Sequence, residues 1–373
     1  IGSPPEGCST FITSAPNSPN MVAANGAATK VAKSNTRIPS KGLFKWFLAY
    51  IFCVCAPARA AKSTPLHKTA IMPFSGTIIK QRLTNMPGPL DGFRIIDLSA
   101  MIAGPMATMI LGDQGAEVIK IENPDGGDYV RKGANRQGDF SAGFLNNNRN
   151  KKSVAINLKT ERGKTILRDL IKGADVFVQN FRPGVIERMG FGEQAVREIE
   201  PQIIYASIAG FGFEGPFAER PVYDPLIQAM SGLTTVQAGS DEERPRLVRT
   251  IVPDKTTAIT ASQAITAALL ARGRTGVGQH IKLSMLASVV SFLWGSDMGS
   301  QTFAGRELPQ QAAASFRDLV YETKDGYVSV AVMSDKEWQN LCKALDKPEW
   351  LQDERFKTPA LRDRHINERL AII

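Results

Sequence analysis

Between Gly92 and Ser207 short apolar runs alternate with amphipathic ones, and this alternation narrows the possible folds more than any other feature. Gly92-Phe-Arg-Ile-Ile-Asp-Leu98, Ala116-Glu-Val-Ile-Lys-Ile-Glu122, Ser153–Leu158, Asp175–Gln179 and Gln202–Ser207 read as strands. Helical patterns fall between them at Pro105–Leu111, Glu161–Lys172 and Glu193–Ile199. Strands that alternate with helices pair in parallel, with helices on both faces of the sheet, so the expected fold class is α/β. Ligands of such sheets bind in the crevice at the carboxyl ends of the strands. The loops at that edge are Ser99–Pro105, Asn123–Asp128, Asn180–Gly184 and Ala209–Pro216, rich in the Gly, Pro or Asn that close backbone approach requires. No Gly-x-Gly-x-x-Gly opens the first helix, and Gly210-Phe-Gly212 lacks a third glycine in register, so a nicotinamide cofactor is not expected.

Charge separates the chain into two parts. Residues 1–87 hold ten Lys/Arg and one acid, Glu6, which accounts for the whole net charge of +9. The remainder is neutral, without the basic face that a nucleic-acid-binding domain needs. From residue 88 onward there are one cysteine, Cys342, and two histidines, His280 and His365. That inventory excludes a Cys/His metal cluster and a disulfide framework. His280 lies in the alternating run Gly278-Gln-His-Ile-Lys-Leu-Ser284 and reads as structural, so the chemistry falls to carboxylates and backbone.

Residues 1–87 are rich in Ser, Pro, Ala and Asn without sustained periodicity, which suits disorder. Lys41–Cys55 followed by Ala58-Arg-Ala60 has the layout of a secretory signal, yet it lies some forty residues in. An organellar transit peptide and translated upstream sequence ahead of Met86 are the alternatives, and the last is preferred. The apolar run is too short to span a bilayer. The large domain is expected over 88–300, a linker over 301–315 and a small domain over 316–373. Within the last, Leu319–Thr323 and Tyr327–Val332 flank Lys324-Asp-Gly326 as a hairpin, followed by helices at Lys336–Leu345 and Pro359–Ile372.

The richest stretch for chemistry is Tyr205–Thr275. It joins Tyr205–Pro216, with three glycines, to Tyr223-Asp224 and to Pro253-Asp254 ahead of the alanine-rich helical run Lys255–Arg272. A carboxylate at the mouth of a glycine-lined crevice can serve as nucleophile, base or metal ligand. Asp254 can also be read as no more than an N-cap, since Asp before Lys-Thr-Thr and an alanine run invites one.

From Leu90 onward the chain resembles the class III coenzyme A transferases, the group that includes formyl-CoA transferase and the carnitine CoA-transferases. The segments that carry the resemblance are Gly92–Ile121 with Ala103-Gly-Pro105, Asn148–Lys159, Asp175–Gly190, Ile204–Pro216, Tyr223–Gly232 and Val252–Gly278. It implies a Rossmann-like large domain with a smaller inserted α+β domain, in an interlocked homodimer. The C-terminal part that returns to the large domain is expected to be missing here. It also implies CoA transfer from an acyl-CoA to a carboxylic acid acceptor, with CoA as substrate and no permanently bound cofactor.

Residue by residue, the resemblance puts the catalytic aspartate on Asp254, which forms an acyl anhydride and then an aspartyl-CoA thioester. A helix N-terminus would favour its ionised form. Tyr223 and Asp224 match a Tyr-acid pair in the family's active site; alternatively Tyr223 packs and Asp224 caps a helix. Related racemases carry His before this Asp, and a tyrosine, with a pKa near 10, is a poor base, which favours transfer over racemisation. The CoA positions are the backbone of Met101, Ile102 and Ala103, together with Lys159, Asn180, Phe181, Arg182 and Arg188. Formyl-CoA transferases carry Gln where this chain has Ile102 and Arg where it has Asn123, so a larger or less polar acyl group is expected than formyl or oxalyl. The rival readings are an α-methylacyl-CoA racemase-like isomerase and an inactive CoA-binding relative. A CoA-containing compartment is implied, cytoplasmic or, with a true transit peptide, mitochondrial; neither nucleic acid nor membrane is an expected partner.

Overall fold

Six strands form one all-parallel sheet in the order β5-β2-β1-β6-β7-β8. The strands are β1 Arg94–Asp97, β2 Glu117–Glu122, β5 Lys151–Ala155, β6 Val176–Gln179, β7 Ile204–Ala209 and β8 His280–Ser284. The computed structural model describes residues 87–239, 242–298, 301–302, 305 and 319–373. The readings for residues 1–86 and for most of the 301–315 linker lie outside the described residues.

The sheet is buried on both faces because successive side chains of its central strands point opposite ways and are apolar in both directions. Ile95, Val118, Val176, Val178, Ile204 and Ala206 meet helices α1 (Ala103–Asp113) and α8 (Val252–Thr275) through Ala107, Leu111, Ala258, Ala261 and Ile265. Ile96, Ile119, Ile121, Phe177 and Tyr205 meet helices α3 (Glu161–Ile171) and α5 (Glu193–Ile199) through Leu167, Ile171 and Val196. Thr160 caps α3 by accepting the Gly163 N–H.

The smaller elements are the β3–β4 hairpin (Arg136–Gln137, Phe140–Ser141), α2 (Ala142–Asn148), α4 (Val185–Arg188), α6 (Asp224–Met230), α7 (Leu233–Ala238) and α9 (Met285–Trp294). Residues 319–373 carry the antiparallel hairpin β9–β10 (Val320–Thr323, Gly326–Ser329), α10 (Asp335–Ala344), α11 (Pro359–Arg364) and α12 (Ile366–Ile372). Trp338, Cys342 and Phe356 form the core of that part. The single helix expected over Pro359–Ile372 is two helices, broken at His365, whose φ/ψ of −105°/38° is not helical.

Strand order reverses at β1. The chain runs outward through β2 and β5, then returns to place β6 on the other side of β1. The two loops leaving β1 and β6 therefore diverge and open a crevice at their carboxyl ends. Asn180 ties them together: its side chain accepts from the Ala100 N–H at 2.9 Å and donates to the Ala100 carbonyl at 2.8 Å. Gly104 lets α1 approach, since a Cβ there would lie 2.3 Å from the Ser99 Cβ.

Beneath this junction lies a buried charge cluster on the α1 side of the sheet. Asp97 accepts from Lys151 Nζ at 3.0 Å, Thr108 Oγ1 at 2.7 Å and the Ser99 N–H at 2.9 Å. Burial acts to raise the Asp97 pKa, but the Lys151 and Lys120 charges and the Ser99 and Thr108 hydrogen bonds outweigh it and hold the carboxyl well below the usual range. A carboxylate whose folded pKa is depressed adds stability above its unfolded pKa and loses it as pH falls below that value. Asp97→Asn should leave Lys151 unpaired and lower unfolding stability at neutral pH by about 3–5 kcal/mol. In denaturant titrations the parent should lose this advantage progressively below about pH 4, the two curves approaching each other as pH falls toward the depressed folded pKa.

Candidate active site

Helix α8 is where the principal candidate sits. Its N-cap is Ile251, Pro253 occupies the first turn, and Asp254 is the third helical residue. The N-cap reading of Asp254 is thereby corrected: proline suits the first turn because its missing N–H would be unpaired there anyway, so the helix starts ahead of Asp254. The freed Asp254 side chain is half-buried.

Two contacts define its setting. The Ala103 N–H, at the first residue of α1, faces the Asp254 carboxylate and favours its ionised form. The Asp254 N–H in turn donates to Asp224 Oδ2 at 3.2 Å. Asp224 is buried at the start of α6, and Gln228 Nε2 donates to its Oδ1 at 2.7 Å. Gln228 also donates to the Thr250 carbonyl at 3.1 Å and accepts the Val248 N–H at 2.9 Å, tying α6 to the segment that leads into α8.

Burial, followed by the Asp224 charge, pushes the Asp254 carboxyl up to about 6, against the downward pull of the Ala103 N–H. Desolvation and a like charge act more strongly here than the helix N-terminus and the facing N–H, which favour the anion. The result is a more basic carboxylate that is still mostly ionised at neutral pH.

Of the sequence candidates, the structure brings Ala103, Asp224 and Asp254 together at this point. Met101 and Ile102 form the same loop, and Met101 adopts the left-handed conformation at φ 69°. Asn180 joins that loop from β6. Phe181 is half-buried, packs against the core on the α3–α5 face, and donates its N–H to Gln179 Oε1 at 2.8 Å. Tyr223 stands at the N-cap of α6 and is 67% exposed, so it does not pack as the structural alternative supposed; that reading also made Asp224 a cap, and Asp224 is instead the first helical residue.

Lys159, Arg182 and Arg188 are exposed and lie further along the same edge of the sheet. Arg188 lines a cleft of about 400 Å3 with Gly184, Phe213, Glu214 and Pro216, between the loops that leave β6 and β7. A second cleft of about 370 Å3 lies past β2 and β5, lined by Asn123, Gly127, Arg131, Lys132, Arg136 and Ser153. By strand order the two clefts flank the β1–β6 junction. His280 is structural, as read: Ser207 Oγ lies 3.0 Å from its Nε2, Tyr205 packs edge-on, and burial lowers its pKa to about 4. Among the described residues no group of three or more His, Cys, Asp or Glu is placed to hold a metal ion. No helix among them is long and apolar enough to cross a membrane.

Sequence reasoning missed Gln228, Asp128 and the buried lysines Lys120 and Lys151. The signal for Lys120 was present: a lysine in the middle of an apolar strand buried on both faces needs a counter-charge inside the fold.

A carboxylate whose pKa is raised on folding destabilises the protein above its folded pKa and is neutral in effect below its unfolded one. Asp254→Asn keeps an acceptor for the Ala103 N–H and removes that penalty. Thermal or denaturant unfolding at pH 8 should show the variant more stable by about 1–2 kcal/mol after allowance for solvent screening. The gain should vanish near pH 4.

Residues 90–373 match the family model described as CoA-transferase family III. The chain is 38% identical over 292 residues to human succinyl-CoA:glutarate CoA-transferase, covering 76% of this chain and 66% of that protein. It is 37% identical over 275 residues to acetyl-CoA:oxalate CoA-transferase of Acetobacter aceti, covering 72% and 70%. The chain thus spans about two thirds of the length of these relatives. Among solved structures it is similar to Rv3272 of Mycobacterium tuberculosis, with a TM-score of 0.67, 34% identity and 77% of each chain covered. A CAIB/BAIF family protein of Brucella suis matches with a TM-score of 0.66, 32% identity and 77% of each chain. The chain belongs to CoA-transferase family III.

Proposed function

We propose that the chain transfers coenzyme A from an acyl-CoA to a carboxylic acid, with the Asp254 carboxylate as covalent carrier. The observation that carries this reading is a shielded carboxylate of raised basicity, held beside a helix N-terminus at the crevice where the strand order reverses. Asp254 attacks the thioester carbonyl, forming an acyl-aspartyl anhydride as the C–S bond breaks and CoA leaves as thiolate. The thiolate attacks the aspartyl carbonyl of the anhydride, giving an aspartyl-CoA thioester and the free donor acid. The acceptor carboxylate attacks that thioester, and the released thiolate then takes the acceptor acyl group and regenerates the Asp254 carboxylate. No proton is gained or lost over the cycle, and one hard exchange becomes four easier displacements.

The roles of the neighbours follow from their contacts. Asp224 holds the Asp254 backbone and keeps its carboxyl basic. The exposed Tyr223 stands next to it in sequence as a weak base, consistent with transfer rather than α-proton exchange. The thioester is assigned to the crevice beside Met101–Ala103 and Asn180, with Phe181, Arg182, Lys159 and Arg188 along the nucleotide portion, where cations suit phosphates. Relatives named for succinyl-CoA, glutarate and oxalate make dicarboxylic acids the first acceptors to test. Exposed Ile259 and Leu270 on α8 and Phe292 on α9 are consistent with the homodimer that the resemblance implies.

Incubation with short acyl-CoA donors, hydroxylamine trapping and mass spectrometry should find a hydroxamate on Asp254. Asp254→Asn should lose the adduct and at least about 10³-fold in turnover. In the parent, kcat/KM should fall tenfold per pH unit below about 6, as Asp254 takes up a proton. Exchange of an α-proton with solvent deuterium in the absence of any adduct would overturn the transferase reading.

A further inference from the structure

The backbone between Ser99 and Ala103 is held from below by a second buried ion pair. Lys120 Nζ and Asp128 Oδ2 lie 3.1 Å apart, and both side chains are 1% exposed. Lys120 Nζ also donates to the Ser99 carbonyl at 2.8 Å. Asp128 Oδ1 accepts the Met101 N–H at 3.2 Å and the Val130 N–H at 3.1 Å. The Asp128 N–H donates to Glu122 Oε1 at 2.9 Å, which anchors the glycine-rich loop after β2. Met101, clamped in this way, holds a left-handed φ of 69° that a non-glycine residue adopts only when its surroundings impose it. Two residues later comes Ala103, at the start of the helix that packs against α8, with its N–H facing the Asp254 carboxylate.

Stability alone does not account for this pair. Removing two charges from water costs several kcal/mol, and an apolar replacement of both is often neutral or better. Every bond of the pair to the β1–α1 loop ends on backbone, at Ser99 and Met101. We propose that Asp128, paired with Lys120, is a positioning residue for the transfer: it sets the left-handed turn at Met101 and so aims the Ala103 N–H at Asp254. The inference rests on Asp254 being the reacting carboxylate. The charged groups facing this loop are Asp97, Lys120, Asp128 and Lys151 from the sheet side, and Asp254 with Asp224 from the α8–α6 side.

The test uses the full chain with Asp128→Ala and Asp128→Glu. The second keeps a charge for Lys120 but displaces the acceptor by one methylene, so it remains informative if the first does not fold. Three readouts are taken: kcat and KM for an acyl-CoA, the acid limb of kcat/KM, and the pH midpoint of carbodiimide labelling at Asp254. Both variants should lose roughly tenfold to a hundredfold in kcat, with KM changed much less. The acid limb and the labelling midpoint should both move up by about half a pH unit or more, because a donor to the carboxylate has been withdrawn. Folded variants with a lower melting temperature but unmoved limb and midpoint would overturn the proposal and leave a purely structural pair. Asp254→Asn separates the two claims. If it stays active while the labelling midpoint still moves in Asp128→Glu, the covalent role falls, and with it the assignment of Asp128 to the transfer. If it is inactive while the midpoint does not move, the aiming role falls and the covalent role stands.

Discussion

The stretch from Leu98 to Ala103 has to leave a buried strand, turn at the reversal point of the sheet and start a helix, all against a crevice. Its groups are held one by one: the Leu98 N–H by the Val178 carbonyl, Ser99 by Asp97 and Lys120, Ala100 by Asn180, Met101 by Asp128. A loop in open water would satisfy these groups with solvent and remain mobile. Here the partners are strands β1, β2 and β6 and the loops that follow them, so the loop is tied to the sheet at each residue from Leu98 to Met101. Ala103, whose N–H faces Asp254, follows directly from this tethered stretch.

The Asp254 environment shows two electrostatic effects in opposition. A helix N-terminus and a donated N–H favour a carboxylate, while burial and a neighbouring carboxylate oppose it. The second pair prevails, and the consequence is chemical as well as energetic. A carboxylate lifted to about 6 is a better nucleophile than an exposed one, yet remains largely ionised at neutral pH. Such a site is expected to reduce the stability of the fold that holds it. The two apolar layers offset that penalty.

Much of the sheet was legible because its central strands are apolar on both sides and separated by amphipathic helices. The ends at Glu122, Gln179 and Ser284 coincide, and the others moved by one to three residues, since propensity says little about where a ladder stops. The β3–β4 hairpin and α2 were not foreseen: Arg136–Asn148 mixes Gly, Asn and single aromatics without a period of two or of 3.6. Asp254 and Asp224 stood out by type and setting, but not the bond between them, which depends on α6 and α8 meeting thirty residues apart in sequence. Lys120 could have been suspected from its place in an apolar strand. Its partner could not, because Asp128 lies among exposed loop residues and only the fold turns it inward.

In the proposed cycle one oxygen of Asp254 is exchanged with the substrate acids at every turnover. An acceptor acid labelled with two 18O atoms should therefore pass label to the enzyme. When the acceptor carboxylate attacks the aspartyl thioester, its oxygen becomes the anhydride bridge, and it remains on Asp254 when the thiolate takes the acyl group. Trypsin releases Asp254 in Thr250-Ile-Val-Pro-Asp-Lys255, where it is the sole side-chain carboxylate. A mass increase of about 2 Da in that peptide after one turnover, localised to Asp254, is the predicted result. An unlabelled peptide from enzyme that has transferred CoA would contradict it, because the two acids would then have exchanged CoA without passing through Asp254.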